Sequence, residues 1–546
     1  MKKPLWDLYK DIYEKHASNR FVGMYNIHKP TVLIRDPELF KMILVKDFSY
    51  FQDRGISLNK EADPMSTNLF NSSGKHVYTL RGPTPGGELR SPPSLYTCSS
   101  FKEHYWTYFF GSSFHNEIHL QLRSNLMQSS QTRHIYLSFK PSMTNNGQFG
   151  ENCEKIRGAN RNRKKPMKLM FPLLKKCAED IKPALMKYYE QGEDFEAKDL
   201  SARFGTDVIG SCAFGVDTHS LLDPESEFRN VGRLMTKPRW QLIFRMLFPN
   251  LPTKVIKLFK LFFFNEEMCN YFEKIVKDLV KYREENNVTR GDFLDILIAL
   301  KNQKEREKLE DQQAEADLAK FMAQIGNKKT IKSDVEMSIE LMAAQCFIFF
   351  VAGFEGSSNT IMFALFYLAE NPHIQNKLRQ EILSALETNG GELSYEMMRN
   401  IPYLNMVIEE TFRKIPAGAV LFRSCTENYK IPESNAVIKK GTQVIIPLLA
   451  LHNDRKYFEK PEEFYPEHFS SEAKLNRHNF AFLPFGEGPR VCIAERFGRM
   501  QVIVGLIYLL KDFSFELSPK TKVPLELETT GGVAVKGGMW MKCRPL

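Results

Sequence analysis

No two of the nine cysteines (98, 153, 177, 212, 269, 346, 425, 492 and 543) stand in a C-x-x-C pair, and their number is odd. That argues against a zinc ribbon and a disulfide framework and fits a reducing compartment. Zinc-finger spacing, an RNP-like aromatic motif and dense Lys/Arg blocks are missing too. The net charge of +10 therefore points to an acidic membrane surface or an acidic partner protein, and not to nucleic acid. The longest apolar run, Leu341–Phe354, is interrupted by Gln345 and falls short of the roughly 20 residues a bilayer span needs. The start, MKKPLWDLYKDIYEKH, is charged and amphipathic, unlike a signal peptide, and it shows no membrane anchor. Neither GxGxxG nor GxxxxGK occurs, which removes the phosphate-cradling loops. Residues 82–164 lack aspartate and hold five glutamates amid Ser, Thr, Asn, Gln and aromatics, with no helix or strand period. So long a loop runs against loop-length statistics, so 82–164 reads as disordered or foreign to the folded protein. Within it His115 and His119 stand one helical turn apart, but Glu117 breaks the H-E-x-x-H zinc pattern, which favours chance histidines.

What is present is helix. The chain has 546 residues, 43% of them hydrophobic, enough for a large core. Met167–Gln191 and Asn270–Glu285 are amphipathic, and Lys301–Lys332 reads as a solvated, charged linker with helical pieces. Ser333-Asp-Val-Glu336 is a capping box that opens a helix running to Glu370, where Asn371-Pro372 stops it. The middle of that helix, AAQCFIFFVAGF, is apolar all round and belongs at the centre of a large domain. Residues 1–75 read as mixed helix and strand, and strand-like pieces follow Lys430: NAVIKKGTQVIIPLL, then LELETTGGVAVKGGMWMKC. The fold class is mainly α (α+β), with small, late β-sheets.

One cysteine stands apart. PFGEGPRVCIAERFG, Pro484 to Gly498, places Cys492 between a glycine loop and an apolar-periodic helix. A thiolate there gains from the helix dipole and its open N–H groups. Gly486 and Gly488 let backbone approach a flat object, Arg490 can meet an anion, and Phe485 can pack on an aromatic face. A thiolate, close backbone, an arginine and a ring together describe a haem iron held by cysteine. The rivals are a buried structural cysteine and a nucleophile with His478, the histidine nearest in sequence, as base; no Cys-His signature matches the second.

FGEGPRVCIA resembles the haem loop of the cytochromes P450, F-x-x-G-x-R-x-C-x-G, departing only in Ala494 for the last glycine. Three stretches agree in order. Glu410-Thr-Phe-Arg413 is similar to the family's E-x-x-R ion pair. PEEFYPEHF (461–469) is similar to its meander, with His468 where an arginine completes a structural triad. Ala352-Gly-Phe-Glu-Gly-Ser357 is similar to its oxygen-activation motif. DRGISLNKEADPMSTNLF, ARFGTDVIGSCAFGVDTHSL and AAQCFIFFVAGFEGSSNT resemble insect microsomal members of family 6. The resemblance covers 1–81 and 165–546, a single domain interrupted by 82–164.

The resemblance implies a haem-thiolate monooxygenase: haem b with Cys492 as axial ligand, electrons from NADPH through NADPH-cytochrome P450 reductase, and cytochrome b5 as a further partner. It implies the endoplasmic-reticulum membrane or microsome, and lipophilic substrates such as plant toxins or insecticides. Arg490, Arg423 and Arg81 are the cations expected at the haem propionates, although Val77-Tyr-Thr-Leu-Arg81 lacks the family's tryptophan. Phe347, Ala352, Leu421, Phe422 and Val533 are the substrate-side positions. Glu355 and Ser357 are the proton-side candidates, because Gly356 replaces the family's threonine. The alternative is a haem-binding relative with little turnover, since Gly356, His468 and 82–164 each erode the pattern. Lys254–Phe264, basic and aromatic, is either a membrane-surface stretch or a helix over the substrate channel.

Overall fold

A computed structural model describes residues 5–71, 165–302, 338–527 and 535–546, save 27–28, 56–60, 69, 235–240, 242–243, 246–247, 249–250, 291 and 300. Arg81, the 82–164 segment with His115, Glu117 and His119, the Ser333–Glu336 capping box, most of Lys301–Lys332 and Val533 lie outside the described residues.

The helices that frame the molecule are α1 (Leu5–Lys15), α2 (Lys165–Glu179), α3 (Ile181–Gln191), α4 (Ala197–Ile209) and α5 (Glu266–Asn286). They are followed by α6 (Ile339–Glu370), α7 (Pro372–Thr388), α8 (Pro402–Lys414) and α9 (Glu495–Asp512). The single amphipathic helix expected over Met167–Gln191 is two. Pro183 has no N–H to give the Glu179 carbonyl and its ring crowds that oxygen, so the chain restarts at Ile181.

Helix α6 is the axis. It has 32 residues, roughly 48 Å at 1.5 Å each. The Ser338 side chain caps it by accepting the Leu341 N–H, and it stops before Pro372, which opens α7. It packs on α4, α5, α8 and α9. Among the described residues it is the one helix long and apolar enough to cross a membrane, yet its packing is that of a core helix. The all-round burial expected of its middle is incomplete: Ala352 is exposed, and Glu355 and Gly356 are half-buried. These three residues lie on one stretch of its surface, at positions i, i+3 and i+4.

The strands make three sheets. The largest runs β1 (Phe21–Asn26), β2 (Lys29–Ile34), then β7 (Gln443–Ile446) and β4 (Leu421–Ser424), with β2 and β7 parallel and the other pairs antiparallel. A second joins β3 (Phe195–Glu196), β9 (Trp540–Pro545) and β8 (Phe513–Leu517), and β5 (Tyr429–Lys430) pairs with β6 (Val437–Ile438). The early strands fall in the stretch 1–75 read as mixed helix and strand, and they join the late ones in one sheet. Half of the largest sheet comes from the first 34 residues, through pairings such as Val32 with Val444 that local pattern cannot reveal.

Candidate functional site

The cysteine loop is held at both ends. The Leu483 N–H donates to His452 Nε2 (3.0 Å), the Gly486 N–H to the Leu483 carbonyl (3.0 Å) and the Cys492 N–H to the Phe485 carbonyl (2.9 Å). Gly486 and Gly488 take φ of +71° and +74°, left-handed values that glycine adopts without strain. The closest approach at Gly488 is to this chain itself, since a Cβ there would collide with the Leu44 carbonyl; at Gly486 only the Leu421 side chain is near, at 3.8 Å. The loop presents Cys492 exposed, just ahead of α9. Burial pushes the thiols of Cys177, Cys212, Cys346, Cys425 and Cys543 above the ordinary value, so none of these is a ready thiolate.

Beside the loop, Phe485 packs edge-on against Phe412 at 5.0 Å, and the Arg499 guanidinium lies 5.0 Å from its ring centre. Residues 52–55 gather cations. Arg490, 3% exposed, donates Nε to the Gln52 carbonyl (3.1 Å), and Arg54 Nη2 donates to the Arg490 carbonyl (3.4 Å). The Ser424 N–H donates to the Asp53 carbonyl (2.7 Å), which brings β4 and its buried Arg423 to the same segment. Sequence reasoning missed Arg54; Gly55 beside it, which takes φ +73°, was the available signal. Three guanidiniums against the segment's one acid, Asp53, suit carboxylates as partners. An exposed thiol for iron and arginines for two acid side chains fit an iron porphyrin.

Behind the loop lies the buried pair. Arg413 donates Nη2 and Nε to the two Glu410 oxygens at 2.7 and 2.8 Å, with both side chains 0% exposed. His468, expected to weaken this brace, closes it: Nδ1 stands 3.2 and 3.3 Å from the Glu410 oxygens and Nε2 2.6 Å from the Glu459 carbonyl.

His452 links the brace to the loop. Its carbonyl accepts from Arg413 Nη1 (3.1 Å) while its ring accepts from Leu483. Full burial, then the Arg413 charge, pull the imidazole down from 6.5 to about 3. The native form is therefore neutral. Above pH 6.5 this costs nothing. Between 6.5 and 3 the unfolded chain binds a proton that the native ring refuses, so stability falls as the pH drops, on the order of 1 kcal/mol per pH unit. His452→Gln is expected to flatten that limb, read as urea midpoints at pH 7 and pH 5. Equal pH slopes in variant and parent would refute the assignment.

On α6 the proton-side residues separate. Ser357 Oγ donates back to the Gly353 carbonyl (2.7 Å). Glu355 Oε1 accepts from Lys198 Nζ of α4 (3.2 Å) and from Asn359 Nδ2 (3.3 Å), two partners the sequence did not suggest. Among the substrate-side candidates, Leu421 reaches the loop, whereas Phe422 packs on the opposite face of the sheet, with the cluster of Tyr9, Leu33 and Ile445. Strand alternation sends neighbours to opposite faces. Phe347 is buried against Phe264 (4.8 Å) and Phe272 (5.7 Å). In the 254–264 stretch Leu258 and Phe259 are 76% and 62% exposed, while Ile256 and Leu261 are buried.

A family model described as Cytochrome P450 matches residues 158–539. The chain is 34% identical over 524 residues to "Probable cytochrome P450 6a13" of Drosophila melanogaster, covering 96% of this chain and 85% of the relative. It is 32% identical over 534 residues to cytochrome P450 6k1 of Blattella germanica (97% and 84%) and 33% identical over 544 residues to cytochrome P450 6a2 of Drosophila melanogaster (97% and 89%).

Proposed function

Because this chain belongs to the cytochrome P450 family and is a P450 monooxygenase, we propose that it inserts one oxygen atom from O2 into lipophilic foreign molecules, such as plant toxins or insecticides. The electrons come from NADPH through a reductase, with cytochrome b5 as a second donor. Haem, when bound, supplies the oxygen chemistry. Cys492 holds its iron, Arg490, Arg423 and Arg54 meet its propionates, and Phe485 packs beside it. Glu355 is the acid on the proton side. Ser357, whose hydroxyl is engaged by Gly353, does not replace the absent threonine. Ala352 and Leu421 face the substrate. The working membrane is that of the endoplasmic reticulum, a reading supported by the exposed Leu258 and Phe259 among Lys254, Lys257 and Lys260.

The observation that carries this reading is the Cys492 loop: an exposed thiol ahead of a helix, with buried arginines beside it. The test is the reduced, carbon-monoxide-bound difference spectrum of the full chain. A strongly red-shifted Soret band is expected. Haem with an unshifted band, or no haem, overturns the thiolate assignment; repeating it without 82–164 tells whether that segment is to blame.

A further inference from the structure

Helix α6 holds two glycines near its middle, and packing explains only one of them. A Cβ at Gly353 would collide with the Ile209 side chain of α4, so the two helices meet there only through glycine. A Cβ at Gly356 would meet nothing nearer than Ala417 Cβ, at 3.9 Å, an ordinary contact. The backbone at 356 is helical and not left-handed. Alanine would therefore fit, and it would make the helix more stable, because glycine loses more chain freedom on folding. The fold gives no reason for the missing side chain.

The surroundings give one. Gly356 is half-buried, Ala352 one turn earlier is exposed, and Ala417 and Gly418 opposite are exposed too. Four residues beyond Ala417, the Leu421 side chain reaches Gly486 of the cysteine loop, at 3.8 Å. The accessible surface between α6 and residues 417–421 thus runs toward that loop. Its polar groups are already engaged. The Gly356 carbonyl accepts the Thr360 hydroxyl (2.8 Å), the Ser357 hydroxyl donates to the Gly353 carbonyl (2.7 Å), and Glu355 accepts from Lys198 (3.2 Å). A bare, satisfied backbone lets a flat apolar ring come close without stranding a polar group.

We propose that Gly356 is a specificity-determining residue: the side chain it lacks leaves room for a bulky, fused-ring apolar part of the substrate to lie against α6, opposite Ala417. The inference rests on the monooxygenase reading above and narrows its substrates by shape. Gly356 selects by size alone, since it offers a ligand neither charge nor hydroxyl. A side chain at 356 excludes wide rings and leaves narrow ones free to shift aside.

The test uses the haem-loaded full chain, as parent, Gly356→Ala and Gly356→Val. Binding of naphthalene and of pyrene is read from the change in their own fluorescence, which needs no bond to iron. Pyrene affinity is expected to fall a few-fold in Gly356→Ala and on the order of 10-fold in Gly356→Val, the scale of one methyl group too many in an apolar pocket. Naphthalene affinity is expected to hold in both. Gly356→Ala is also expected to melt above the parent, so a damaged fold does not account for its weaker hold on pyrene. A parent that does not bind pyrene, pyrene affinity unchanged in both variants, or naphthalene weakened as much as pyrene overturns the proposal. A parent lacking the red-shifted carbon-monoxide band defeats the thiolate reading instead, because the two affinities are ranked whatever holds the iron. Should Gly356→Val fail to fold, Gly356→Ala, whose Cβ fits, still decides.

Discussion

Cys492→Ala is expected to abolish the red-shifted carbon-monoxide band completely while the protein still folds. The two halves of this expectation have separate causes. The band requires a thiolate donor on iron, and alanine offers no donor atom. The fold does not need the side chain: Cys492 is exposed and belongs to none of the hydrophobic clusters, and the loop is held through the backbone of residue 492, whose N–H bonds to the Phe485 carbonyl. The apo melting midpoint is thus expected within a few degrees of the parent. Cys346→Ala is the control with the opposite signature. That thiol is 0% exposed inside α6, so its loss leaves a cavity and lowers stability, but the band persists. A red-shifted band surviving in Cys492→Ala would assign the iron to another donor.

What was legible in the sequence was local. The Cys492 loop, the Glu410–Arg413 spacing and the stop of α6 at Asn371-Pro372 each rest on residues a few positions apart, where turn chemistry and helical period speak directly. The parts that position the chemistry join distant segments. Lys198 meets Glu355 across 157 positions, Arg54 meets Arg490 across 436, and His452 supports Leu483 across 31. No pattern within a window of residues encodes such contacts. His468 shows a subtler limit. Read by type it is a shortened arginine, and its value emerges only because the Glu459 carbonyl and the Glu410 carboxylate lie on either side of one ring. Pro183, by contrast, was a local signal overlooked, outweighed by an apolar period that ran through it.

Glu410→Ala is expected to destabilise the chain by about 3–5 kcal/mol, the cost of removing one partner of a buried ion pair. The carboxylate accepts two bonds from Arg413 and one from the Tyr465 N–H (2.9 Å), and it faces His468. Without it Arg413 keeps acceptors, the carbonyls of His452, Pro461 and Glu463 at 3.1, 2.9 and 3.0 Å, but loses its counter-charge in a place with no exposure. His468→Ala removes less. The carboxylate retains Arg413 and Tyr465, so the cost is about 1–3 kcal/mol, that of a buried hydrogen-bonding group left short of a partner. The order therefore separates a brace built mainly on the Glu–Arg pair from one shared equally with the histidine. Urea midpoints at constant slope measure both. A Glu410→Ala variant no less stable than His468→Ala would mean that the histidine carries the brace. Because Arg413 also bonds the carbonyl of His452, whose ring holds Leu483 at the start of the cysteine loop, the first variant is expected to lose haem before it unfolds. Its red-shifted band then fades at a lower urea concentration than its helical signal, whereas in the parent the two fall together.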